Sequence, residues 1–255
     1  MAPRRPWRAR ILPVAGMATL LAIWWAVVEV FAVPAFIAPS PGLVLHTLVD
    51  RRGMLLANLV PTALEAAGGL VLGNLAAVLL AALFIHNPVL RAMLFPVFLL
   101  LNAIPVVAKA PILVLLLGNG FEPKVTIAAM VCFFPTLVNT VRGLDAVNPQ
   151  AMELMRVLSA SRSEVFFRLR VFSALPHLFS ALRISASLCV IGAIVGEWIG
   201  TDVGIGALIL QATYNFDSAL LYAAIVVGSC LSGAFYLAVV AAERLVVRWP
   251  AGTAA

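Results

Sequence analysis

The chain has 255 residues, of which 63% are hydrophobic and only 11% are charged, and its mean hydropathy is +1.08. A soluble domain of this length cannot bury so many apolar side chains, so the composition excludes a water-soluble protein and indicates a lipid bilayer. The net charge of +6 could suggest a nucleic-acid partner. We expect none, because the basic residues are scattered and lack the interleaved aromatic residues that stack on bases.

Six apolar stretches are predicted to span the membrane, because about 20 helical residues cross roughly 30 Å of hydrocarbon. The first follows a basic arm, residues 1–10, and is too long for the apolar part of a cleavable signal peptide. The predicted spans are 11–31, 61–85, 92–117, 125–141, 176–199 and 219–247. Residues 11–255 are therefore predicted to form one transmembrane domain. Glycines four residues apart, Gly69 with Gly73 and Gly192 with Gly196, predict faces on which helices pack closely.

The third predicted span is unusual in its prolines and polar residues. Pro96, Pro105 and Pro111 are predicted to interrupt its helix, and Asn102 and Lys109 lie inside it. Broken helices at membrane depth are tolerated where they line a cavity or are buried in protein. Polar residues within such spans are candidates for function.

Four such polar residues are candidates for a translocation pathway, namely Asn102, Lys109, Asn139 and Glu197. Lys109 allows two interpretations. It could offer a positive charge to an anionic substrate, or it could pair with a carboxylate or extend its amine to the interface.

A polar stretch, residues 142–175, separates the fourth and fifth spans and contains two predicted amphipathic helices. In the first, Asn148 can cap the opening turn, and the helix should run to about Leu158 with one apolar stripe. The stripe consists of Ala151, Leu154, Met155 and Leu158. The second should begin at a capping box of Ser161 and Glu164, after a bend near Ser159.

This stretch resembles the EAA loop of binding-protein-dependent ABC importer permeases. In that loop a Glu and two small residues are followed by a Gly six positions after the Glu and by a later hydrophobic-x-hydrophobic-Pro. Here Glu153 takes the Glu position, Ser159 replaces the Gly and Phe172 stands in place of the Pro. The flanking text, SASR at 159–162, SALPHLFSALR at 173–183 and GEWIGTDVGIGALILQA at 196–212, is similar to permeases of aliphatic sulfonate, taurine, nitrate, thiamine-precursor and riboflavin importers.

The resemblance implies an all-α permease domain of the type I importer, MetI-like architecture, with cytoplasmic coupling helices in the loop 142–175. It also implies a second copy of the chain, two P-loop ATPase subunits and a periplasmic or lipoprotein solute-binding protein. The expected ATPase-coupling residues are Glu153, Leu154, Arg156, Leu158, Ser159, Ala160, Ser161, Arg162 and Glu164. Alternatively, the two helices only pack against the ends of the chain's own spans.

The distribution of Lys and Arg predicts the orientation. Of the 17 basic residues, 13 fall on the side of the N-terminus, three on the opposite side and one within a span. The positive-inside rule then places both termini and the polar stretch in the cytoplasm. The resemblance implies that the membrane is a bacterial inner membrane. The segments 32–58 and 200–218 are predicted to face outward and to meet the binding protein.

The sequence contains no P-loop, no H-E-x-x-H and no G-x-S-x-G, so we expect a non-catalytic subunit that binds no cofactor itself, with ATP and Mg on the partner. No metal site is expected either. A self-contained secondary transporter or channel is the alternative, although no intramembrane chain of acids and no inverted repeat is visible. The substrate stays open between a sulfonate-, taurine- or nitrate-like anion and a vitamin precursor.

Overall fold

The computed structural model describes residues 6–247, and their regular structure is entirely helical. The helices are α1 (Pro6–Val30), α2 (Pro41–Asp50), α3 (Arg52–His86), α4 (Pro88–Ala103), α5 (Val106–Leu117), α6 (Phe121–Asp145), α7 (Pro149–Val157), α8 (Arg162–Val165), α9 (Val171–Glu197), α10 (Ile205–Tyr214) and α11 (Ser218–Val246). Of the predicted basic arm, residues 1–5 lie outside the described residues, and 6–10 already belong to α1.

Within residues 6–247, four helical runs are long and apolar enough to cross a membrane. They are Arg52–His86, Phe121–Asp145, Arg162–Glu197 and Ser218–Val246. The pair α4 and α5 makes a fifth if it is counted as one broken span. The apolar part of α1, Val14–Val30, is shorter. Each of the six predicted spans thus has a helical counterpart.

The third predicted span is broken at one proline only. Helices α4 and α5 meet at a bend of 101°. Between them Ile104 is extended, as the residue before a proline prefers, and Pro105 has no N–H to continue the helix. At Pro96 and Pro111 the helices continue, contrary to prediction. Prolines are tolerated in membrane helices because neighbouring groups can satisfy the freed carbonyls.

The core of the bundle forms where α3 and α9 pack on α6. A Cβ on Gly73 of α3 would lie 2.3 Å from the carbonyl oxygen of Ala129, and one on Gly192 of α9 would lie 2.7 Å from the Cα of Ala128. Only glycine allows these backbones to approach so closely, which agrees with the predicted close-packing faces.

A hydrogen-bond chain also joins these three helices. The hydroxyl of Thr136 on α6 donates to Asn74 Oδ1 on α3 at 2.5 Å. The same hydroxyl lies 3.0 Å from Ser185 Oγ on α9. All three residues are buried, so the chain fixes the relative register of α3, α6 and α9.

Candidate coupling loop, cavity and outer segment

Helix α7 begins and ends at capping motifs. Asn148 Oδ1 accepts the N–H of Gln150 at 2.8 Å, and Pro149 occupies the first helical position. At the other end Ser159 has φ +54°, and its N–H donates to Arg156 O at 2.9 Å. The N–H of Ala160 donates to Met155 O at 3.0 Å. This is a Schellman motif, in which glycine usually occupies the left-handed position that Ser159 takes here.

The predicted capping box after the bend is confirmed. Ser161 Oγ accepts the N–H of Glu164 at 3.2 Å, and Glu164 Oε2 accepts the N–H of Ser161 at 2.9 Å. Helix α8 starts there and passes through a π-helical turn, Phe166–Arg170, into α9. The helical run from Arg162 to Glu197 has 36 residues. The sequence did not predict the π turn.

One face of α7 is largely exposed among the described residues. No residue of this helix is buried, and Leu154, Val157 and Leu158 are 59%, 76% and 66% exposed. Glu153 and Arg156 are exposed as well. The predicted apolar stripe and the exposed apolar face therefore overlap only in part. Ala151 and Met155 of the stripe are half-buried, and the prediction did not include the exposed Val157. Val157 follows Leu154 by three positions and therefore lies on the same face.

Two arginines bind the end of α6, where the polar stretch begins. Arg91 at the start of α4 pairs with Asp145 at 2.8 Å, and Arg170 in the π turn donates to Leu144 O at 2.9 Å. The ring of His86, the last residue of α3, packs against the ring of Phe166, with 4.8 Å between the ring centroids. These contacts join residues far apart in the chain, so no local sequence signal predicted them.

An open cavity of about 410 Å³ lies between α3, α4, α5 and α6. Most of its wall is apolar, with the aromatic rings of Phe98, Phe133 and Phe134. Asn102 and Lys109, on either side of the α4–α5 bend, also line it. The structure therefore brings two of the four pathway candidates together.

Lys109 forms no ion pair within the described residues. The buried carboxylate of Glu65 on α3 pairs instead with Lys124 of α6, at 3.3 Å. The interpretation in which Lys109 pairs with a carboxylate is thus not seen among residues 6–247.

The other two pathway candidates lie away from this cavity. Asn139 donates to Pro135 O, one turn earlier in α6, at 2.8 Å. Glu197 is fully buried at the end of α9, where it binds Thr62 Oγ1 at 2.5 Å and the N–H of Gly206 at 2.6 Å.

The two segments predicted to face outward meet each other. Arg51 pairs with Asp217 at 2.6 Å, and Ser218 Oγ donates to Phe36 O. Apolar residues of α2, α3, α10 and α11, including Val44, Leu55 and Ile205, form one buried cluster at this end. We call residues 200–218 the outer segment.

Comparison with known proteins decides the family. Residues 69–250 match the model of the binding-protein-dependent transport system inner membrane component. The chain belongs to this family. It is a permease of a binding-protein-dependent ABC importer, which confirms the resemblance seen in the EAA-like loop.

Relatives of this permease are named for several different substrates. The riboflavin transport system permease protein of Chloroflexus aurantiacus is 36% identical over 97% of this chain and 93% of its own. The formylaminopyrimidine transport permease of Halalkalibacterium halodurans is 32% identical, covering 90% and 92%. The putative aliphatic sulfonates permease of Bacillus subtilis is 25% identical over 96% and 91%.

A solved structure shows the same fold. A chain of the MetNI methionine ABC transporter in an inward-facing conformation superposes with a TM-score of 0.58 at 19% identity. The match covers 80% of this permease and 97% of that chain. The predicted all-helical, MetI-like architecture is therefore confirmed at the level of the fold.

Proposed function

We propose that two copies of this permease form an ATP-driven importer for a flat heterocyclic vitamin or vitamin precursor. In this assembly two P-loop ATPase subunits dock on α7 and α8 from the cytoplasm. The chain crosses the membrane six times with both termini inside, and the segments 32–58 and 200–218 receive the solute-binding protein. The permease itself holds neither ATP nor Mg.

The observation that carries the coupling role is a rigid helix with an uncovered apolar face. Capping motifs hold α7 at both ends, yet Leu154, Val157 and Leu158 are mostly exposed in the described chain. The neighbouring Glu153 and Arg156 are exposed, so this face meets water rather than lipid. Apolar anchors surrounded by polar residues are typical of protein interfaces.

The cavity supports a heterocyclic substrate. The rings of Phe98, Phe133 and Phe134 can stack on a flat ligand, while Asn102 and Lys109 can donate to its carbonyl or ring nitrogen atoms. The relatives named for riboflavin and formylaminopyrimidine also share more identity with this chain than the one named for sulfonates. The second candidate is a sulfonate-like anion, which the ammonium of Lys109, without an ion pair among residues 6–247, would favour.

Uptake by the reconstituted importer distinguishes the two substrates. Phe134→Leu should lower uptake of riboflavin or formylaminopyrimidine about threefold to tenfold, because an aromatic pair contributes about 0.5–1.5 kcal/mol. Lys109→Met should leave measurable vitamin uptake. The matched control is Arg244→Met, which removes an exposed cation away from the cavity and from both outward segments. The substrate is the anion instead if the wild type takes up taurine or a sulfonate but no vitamin, and if Lys109→Met loses that anion uptake.

Coupling is tested separately. Reversing the exposed charge with Glu153→Lys should reduce the amount of solute imported per ATP hydrolysed, because Glu153 orients the docked ATPase. Full coupling in this variant, or transport by the purified chain with no ATPase present, would contradict the docking assignment.

A further inference from the structure

A buried carboxylate holds the start of α10. Glu197 ends α9 and is completely inaccessible. Its Oε2 accepts the N–H of Gly206 at 2.6 Å, and its Oε1 accepts the hydroxyl of Thr62 on α3 at 2.5 Å. A buried side chain whose two oxygens both have hydrogen-bond partners is held in one position.

The neighbouring N–H groups are bound by α3 as well. Thr62 Oγ1 accepts the N–H of Ile205 at 2.8 Å, and Asn58 Oδ1 accepts the N–H of Gly204 at 2.8 Å. Three consecutive donors at the start of α10 are thus satisfied by side chains of α3 and α9. A helix start leaves such N–H groups without partners inside the helix.

Glycines make room for this carboxylate. Gly204 has φ +113°, and a Cβ there would lie 2.1 Å from Glu197 Oε1. A Cβ on Gly206 would lie 2.2 Å from the carbonyl oxygen of Ile194 on α9. Any side chain at either position would push the start of α10 away from α9.

The other end of the outer segment is attached by a different contact. Asp217 pairs with Arg51 at 2.6 Å and accepts the N–H of Leu220 at the start of α11. The outer segment is therefore tied to α3 and α9 at its first half and to the loop before α3 at its second.

We infer that Glu197 is a positioning residue for transport, whose carboxylate makes the outer segment move with α9. The helical run that ends at Glu197 begins at the capping box of the coupling loop and continues through the π turn for 36 residues in all. At 1.5 Å per residue this is about 54 Å, which exceeds the thickness of a bilayer. A displacement of the coupling end is thereby passed through one helix to the surface that receives the loaded binding protein. This role rests on the proposed function.

Hydrogen exchange tests the anchoring in the full-length permease in nanodiscs, with its ATPase subunits bound. Glu197→Ala and Thr62→Val should each speed exchange of the amides at 204–208 about tenfold or more. Amides of α6 should keep their protection. Asp202→Asn is the matched control, since it removes an exposed carboxylate from the same segment. Exchange within twofold of the wild type in both variants would overturn the anchoring.

Uptake kinetics test the positioning role. In Glu197→Ala the KM for solute-loaded binding protein should rise about tenfold, whereas the maximal rate and the affinity for the ATPase stay within twofold. Glu197→Gln keeps one acceptor oxygen and should be intermediate. If Glu197→Ala does not fold, Thr62→Val and Glu197→Gln decide. An unchanged KM alongside faster exchange would overturn the role in transport.

These outcomes are separable from failure of the proposed function. If the wild-type chain recruits no ATPase and imports no solute, the proposed function is wrong. The exchange measurement on the permease alone then still shows whether Glu197 holds the outer segment.

Discussion

Truncation of the exposed leucine that caps the end of α7 should weaken docking of the ATPase. Leu158 is 66% exposed, so docking can bury about two thirds of its side chain. Full burial of a leucine contributes about 1.5–3 kcal/mol, and the corresponding share for Leu158 is about 1–2 kcal/mol. Since 1.4 kcal/mol corresponds to tenfold in affinity, Leu158→Ala should raise the Kd for the ATPase roughly 5- to 30-fold.

The chain offers a matched control for this measurement. Leu45 on α2 is 64% exposed and lies in the segment proposed to face outward. Leu45→Ala removes the same atoms from an equally exposed leucine, and it should leave the Kd for the ATPase within twofold. Both variants should unfold at the wild-type temperature, because neither side chain is part of the core.

The Kd can be measured by titrating the purified ATPase subunit onto permease held in nanodiscs, with the rate of solute import recorded in parallel. The import rate of Leu158→Ala should recover when the ATPase is supplied above the raised Kd. Equal affinities of Leu158→Ala, Leu45→Ala and wild type would refute the docking of the ATPase on this face.

Three further predictions concern stability. Ser159→Gly should stabilise the bend by about 1 kcal/mol, seen as slower amide exchange in α7, because glycine adopts the left-handed conformation without steric cost; faster exchange would contradict the Schellman geometry. Lys124→Met should lower the free energy of unfolding by about 3–5 kcal/mol, since it leaves the carboxylate of Glu65 buried and unpaired. The double variant Glu65→Leu with Lys124→Met should regain most of that loss in the same denaturation assay. If stability does not recover, the loss in Lys124→Met does not come from the unpaired Glu65 carboxylate. Gly73→Leu should lower the midpoint of thermal unfolding because its side chain collides with the backbone of α6, whereas Gly53→Leu, with open space around it, should not.

Local signals predicted the coupling loop well. Asn148, Ser161 and Glu164 form hydrogen bonds with residues at most three positions away, so the caps could be identified from spacing alone. The apolar runs likewise predicted helices, because length and hydropathy are local properties. Pro105 was one of three prolines predicted to break the third span, and only the surroundings of each proline decide which of them does so.

Contacts between distant residues could not be predicted in this way. Glu197 was considered for the pathway because it is a polar residue near an apolar span. Its partners Thr62 and Gly206 lie on two other helices, and nothing in the sequence pairs them. The same holds for Lys124, one of the three basic residues counted on the side opposite the N-terminus, which pairs with Glu65 inside the bundle.

The hydrogen-bond chain from Asn74 through Thr136 to Ser185 limits how the bundle can deform. A slide of one helix by a single residue, about 1.5 Å, would lengthen the contact between Thr136 and Ser185 past the normal range and misalign the hydrogen bond between Thr136 and Asn74. Shear between α3, α6 and α9 is therefore costly. In the proposed two-fold assembly, opening and closing of the central pathway would then come from movement of whole protomers, or of helices outside this core, rather than from sliding of α3, α6 and α9 past one another.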